Sequence, residues 1–157
     1  MQICFMDFVT CRTKQPITQT SNNSHPMNKI STPMADLSIL NGNLIYILFT
    51  HDGEIDEPHG VEILNATVQL AANKPHIVLY DFNKKNLLLR NIAKQFAAVR
   101  NEHESHIYGR AFLTYSLQNE IEAKHFINYN KPLCETRIFK EKQAAIDWLN
   151  EMIQKEK

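Results

Sequence analysis

Five basic residues, Lys84, Lys85, Arg90, Lys94 and Arg100, occupy the stretch from Asn83 to Arg100, which contains no acid. Lysines just before a helix, beside the free N–H groups of its first turn, make an anion site. Arg90 and Lys94 stand four apart and extend the charge along one helix face. Cations at a helix start oppose its dipole, so they add nothing to local helix stability. The plainer account of such a run is a solvated face. Asn83, Lys84, Lys85, Arg90 and Lys94 are nonetheless the expected contacts for an acidic protein patch or a small anionic ligand.

The other chemistry-bearing groups are weaker. His51, Asp52, Glu54, Asp56, Glu57 and His59 offer oxygen and imidazole donors at metal-binding density. Their order fits no calcium loop, and acids ahead of a helix already suit its N-terminus, so no metal is expected. Glu102-His103-Glu104-Ser105-His106 reads as an exposed turn at a helix end, where histidines complement the dipole. Cys134 is expected to be a small buried hydrophobe, with the adjacent Glu135 raising its pKa. An enzyme built on His103, His106 or Cys134 would need them to converge with a carboxylate in one cleft.

Composition excludes several classes. Seventeen Lys and Arg balance 17 Asp and Glu, so no overall field draws the chain to nucleic acid or to an acidic membrane. Three cysteines without a CxxC pair suit neither a disulfide framework nor a zinc module. Four glycines leave little material for a phosphate-binding loop, and no cofactor is expected. The longest apolar run, near residues 44–49, is far short of the ~20 residues of a membrane helix. A hydrophobic fraction of 43% in 157 residues is enough for one cored domain. Residues 1–35 are polar over most of their length and read as a disordered leader or a misassigned start, with the domain at 36–155. A cytoplasmic location is expected.

The elements that must position these groups are legible in outline. Asn41-Gly42 between Leu37-Ser38-Ile39-Leu40 and the apolar run from Asn43 to Phe49 predicts a β-hairpin with positive φ at both turn residues. Val61, Leu64, Val68 and Ala71 predict an amphipathic helix ending near Asn73-Lys74-Pro75. A buried strand is predicted from His76 to Phe82, and Leu89, Ile92, Phe96 and Val99 mark a second helix. Then come a strand over 107–115, a helix over 116–129, the strand Thr136-Arg137-Ile138-Phe139, and a last helix carrying Ala144, Ala145, Trp148, Leu149 and Met152. A hairpin followed by alternating helices and strands predicts an α/β domain with a mixed sheet whose later strands are parallel.

The closing segment, Asn128-Tyr129-Asn130-Lys131-Pro132, then Thr136-Arg137-Ile138-Phe139, then Ala144-Ala145-Ile146-Asp147-Trp148-Leu149, resembles the STAS-like domains related to the sporulation anti-anti-sigma factor. It is most similar to a small, uncharacterised bacterial branch of that group, and the resemblance covers roughly residues 36–155. It implies a curved sheet backed by helices and a non-catalytic role in binding a protein partner or small ligand. It also places a partner-binding loop after the strand that ends near Asp81. The phosphorylated serine of the anti-anti-sigma factors has no counterpart, because no Ser or Thr occurs from Val78 to Val99.

Together these readings point to a regulatory or binding module and not an enzyme. The expected partner is a protein or a second copy of the chain, paired through an exposed edge of the hairpin. The alternative is a carrier of an apolar, lipid-like molecule, held between the sheet and the 116–129 helix. That requires an apolar cavity of ~300 Å³ or more.

Overall fold

The computed structural model describes residues 28–89, 91–92 and 102–155. The elements run β1 (Lys29–Ser31), β2 (Ala35–Leu40), β3 (Leu44–Phe49), β4 (Gly53–Glu54), α1 (Glu57–Ala71), β5 (His76–Asp81), β6 (Leu87–Leu88), a 3-10 turn (Glu102–His106), β7 (Ile107–Leu113), α2 (Leu117–Asn130), β8 (Thr136–Phe139) and α3 (Lys142–Lys155). Six strands form a mixed sheet in the order β1-β2-β3-β5-β7-β8. The first two pairings are antiparallel and the remaining three parallel. This is the α/β class expected. The second predicted helix lies beyond the described residues except for Asn91 and Ile92, which are helical.

The hairpin forms at Asn41-Gly42, with φ of 49° and 77° at the two residues. Leu40 pairs with Leu44, so Asn43 joins the turn and the connection is one residue longer than the shortest type. The hairpin edge is not free, because β1 pairs along β2 with Ile30 opposite Leu37. The folded part thus includes Lys29–Ser31 and the buried Met34 and Ala35, residues that patterning alone assigned to the leader.

Alternation along the central strands sends Ile45, Ile47, Val78 and Phe112 to one face and Leu44, Ile77, Leu79, Ala111 and Leu113 to the other. Each fully buried aliphatic side chain there contributes about 1.5–3 kcal/mol relative to exposure. α3 covers the second face with Ala145, Leu149 and Met152. Its close approach depends on Gly109, where an added Cβ would stand 3.1 Å from Met152 Cβ.

α1 and α2 cover the first face. Asp56 caps α1 by accepting from the His59 amide at 3.1 Å, and Ala72 ends it at φ 49°. The buried residues of α1 are Gly60, Ile63, Ala66, Thr67, Leu70 and Ala71; of the predicted stripe Ala71 is buried, Leu64 and Val68 are half-buried, and Val61 is 40% exposed. α2 begins at its Ser116 cap and buries polar side chains, Asn119 and Glu122, beside Ala123.

Candidate functional site

The basic loop after β5 is not a helix start. Asn83 and Lys84 turn at φ 48° and 57°, the chain then forms β6, and Leu87-Leu88 pairs in parallel with Gly53-Glu54 of β4. Three amides of this loop and strand have carboxylate acceptors. Asn83 N–H donates to Asp81 Oδ1 at 2.8 Å, Asn86 N–H to Asp52 Oδ1 at 2.7 Å, and Leu89 N–H to Glu122 Oε2 at 2.9 Å. Lys85 N–H bonds the Phe82 carbonyl, and the Lys85 carbonyl accepts from Asn119 Nδ2. Asn83 and Lys84 are exposed and Lys85 is half-buried, so the loop brings these three together as a solvated turn. Arg90, Lys94 and Arg100 lie outside the described residues.

The acidic segment is accounted for in the same way. Asp52 and Glu54 hold the loop through Asn86 and Asn91, and Asp56 caps α1. Their role is to fasten β4 against β6, which sets Ile55 and Leu89 side by side under α1.

These two residues help enclose a cavity of about 240 Å³ between α1 and the first face of the sheet. α1 contributes Gly60, Val61, Ile63, Leu64 and Thr67, the sheet contributes Phe49, Tyr80, Ile107, Arg110 and Phe112, and α2 contributes Phe126 and Asn130. Ile92 and Glu104 complete one side, and Glu57 stands at the exposed rim with Val61. The predicted cleft was against the 116–129 helix; α1 forms most of the wall instead. The volume is below the ~300 Å³ expected for a drug-sized ligand. It is room for about eight waters at their share of liquid volume. Its aromatic wall is ordered by stacking: Tyr80 and Phe112 lie 4.9 Å apart at 15°, and Phe126 packs 5.6 Å from Phe112.

One end of the cavity is polar. Arg110 comes from the middle of β7, is 6% exposed, and donates through Nη2 to Glu104 Oε1 at 2.9 Å. The 3-10 turn before β7 folds Glu104 back over it, so the predicted exposed turn instead supplies a largely buried carboxylate, 16% exposed. Arg110 Nε and Nη1 have no hydrogen-bond partner among the described residues. Burial opposes the guanidinium's charge, the ion pair with Glu104 favours it, and on balance its pKa is raised. Burial pushes the Tyr80 phenol up, so it stays protonated beside the guanidinium. Burial also raises the Cys134 thiol, leaving it a weak nucleophile. Glu135 plays no part in that, being paired with Arg137 at 2.6 Å.

Arg110 is the residue that sequence reasoning passed over. The signal was available: it is the one charged side chain in the apolar run Ile107-Tyr108-Gly109-Arg110-Ala111-Phe112-Leu113. A second polar cluster lies at the far end of β5, where Tyr46 donates to Asp81 Oδ2 at 2.5 Å. Burial first, then Asp81, raises the Tyr46 phenol, and the same causes push Tyr115 up to about 12. With Asp81 also bonded to Asn83, this cluster fixes the strand end.

Residues 37–153 match the family described as Domain of unknown function (DUF7793), and the chain belongs to that family. No curated protein matches it. Among solved structures it is similar to an uncharacterised protein of the DUF3478 family with a SpoIIAA-like fold, from Shewanella loihica PV-4. The identity is 15%, 76% of this chain and 98% of that chain are covered, and the TM-score is 0.49. Among the described residues no helix is long and apolar enough to cross a membrane.

Proposed function

We propose that the protein is a non-catalytic binding module that takes a small, largely apolar molecule into the cavity between α1 and the sheet. The observation that carries this reading is the placement of Val61 and Leu64. They belong to an apolar stripe of α1, yet they border open space and not packed core. Interiors normally close such space, because unfilled volume forfeits dispersion contacts on every lining atom. A dry apolar cavity of only ~150 Å³ suffices to bind benzene. Filling this larger one recovers about 25 cal/mol for each Å² of apolar surface covered. The basic loop is a poorer candidate for the binding surface, since its Asn83 and Asn86 amides already bond carboxylates.

Naphthalene, neutral and close in size to the cavity, is a suitable probe. The full chain is expected to bind it saturably at one site, with micromolar affinity from about ten non-hydrogen atoms at high ligand efficiency. The double variant Val61→Phe/Leu64→Phe adds two rings at the wall and is expected to weaken binding at least tenfold with no loss of thermal stability. Absence of saturable binding to the parent, or equal binding to the filled variant, overturns the reading.

A further inference from the structure

We propose that Arg110 makes this cavity selective for small monocarboxylates with an apolar body. The inference rests on the cavity being a binding site and adds the chemistry of the ligand's head. A guanidinium has five N–H donors in a rigid fork, and three of Arg110's five, those on Nε and Nη1, have no hydrogen-bond partner among the described residues. The side chain is 7% exposed and lies on the cavity wall, so these donors meet little solvent. Unpaired buried donors on a charged group are the groups a ligand satisfies with greatest gain.

The surrounding groups narrow the head further. The Tyr80 hydroxyl adds a donor at the same end, and Asn130, also 6% exposed, supplies an amide on the lining. The acceptor Glu104 Oε1 is already engaged by Nη2. A donor-rich end suits a head that only accepts. A carboxylate offers two oxygens and no proton, and it matches the guanidinium fork. An alcohol brings its own donor, and an ammonium is repelled by Arg110. Glu104 and Glu57 are the other charged groups on the lining among the described residues, and both oppose a second negative charge. The ligand is therefore a monoanion.

The test uses ligands of one shape on the full chain at neutral pH: naphthalene, 2-naphthol, 2-naphthoate and 2-naphthylmethylammonium. 2-Naphthoate is expected to bind about tenfold to a hundredfold more tightly than 2-naphthol, the margin of charge-assisted hydrogen bonds. The ammonium is expected to bind more weakly than naphthalene itself. In Arg110→Met/Glu104→Gln, which removes both charges together, the naphthoate margin is expected to vanish while naphthalene still binds. Equal affinity of the parent for naphthoate and naphthol, as when ordered water satisfies Nε and Nη1, overturns the proposal. That comparison needs no variant to fold. If naphthalene binds but shows no gain from a carboxylate, the cavity reading stands and the role of Arg110 falls; if naphthalene fails to bind, both fall.

Discussion

Glu104→Ala is expected to unfold about 10 °C below the parent protein, a loss of about 3 kcal/mol. The guanidinium of Arg110 is almost wholly enclosed, its side chain 7% exposed, and Glu104 is the only carboxylate bonded to it among the described residues. Removing one member of a buried pair leaves an uncompensated charge, which costs about 3–5 kcal/mol. The lower end applies because Glu104 keeps 16% of its surface in solvent. Replacing both members by uncharged groups removes the penalty along with the pair. Arg110→Met/Glu104→Gln is therefore expected to recover most of the loss. Thermal unfolding of the three proteins checks this. A Glu104→Ala protein within a degree or two of the parent would mean that Arg110 is hydrated where it stands.

Phe82→Ala is expected to lower stability by about 4 kcal/mol, the range for truncating a buried ring. Phe82 follows β5 directly, is 0% exposed, and meets two rings edge to face: Phe49 at 5.8 Å and Phe112 at 6.0 Å. Each such contact adds about 0.5–1.5 kcal/mol to the area buried. Phe49 and Phe112 are the aromatic wall of the cavity, so Phe82 is the support behind it. Against a total of about 5–15 kcal/mol for a domain, the loss is a large fraction, and urea unfolding reads it as a lower midpoint at unchanged slope. A loss below 2 kcal/mol would show that the wall rearranges to fill the space.

Local signals in the sequence carried the hairpin, the central strands and the ends of α1 and α2, because each depends on turn residues or caps a few positions away. Asn41-Gly42 and Ser116 are such cases. β1 was invisible: Lys29-Ile30-Ser31 has no strand pattern, and what holds it is backbone pairing to β2. The path of the chain after β5 was hidden for a related reason. Lysines followed by apolar residues resemble a helix start, but β6 comes first, and its flanking Asn86 and Leu89 amides are bonded to Asp52 and Glu122, which lie 34 and 33 residues away. α2 hides its inner face, since Asn119 and Glu122 are buried there while Leu117 is 72% exposed. In α1 both the Ile63–Thr67–Leu70 stripe and the Val61–Leu64 stripe are apolar. Periodicity finds the helix and cannot tell the face that meets the core from the face that meets a cavity. Arg110 was legible by type but not by position, because only the folded chain brings Glu104, Tyr80 and the open space around it.

The central claim is that the space under α1 takes a ligand, and methyl NMR of the full chain at saturating naphthalene tests it most directly. The predicted result is large shifts at Ile55, Ile63, Leu64, Leu89, Ile92 and Ile107, all on the cavity wall, with Leu44, Ile77, Leu79 and Leu113 across the sheet unmoved. Shifts confined to the exposed Leu117 and Leu133, or no shift at any methyl of the wall, would contradict it.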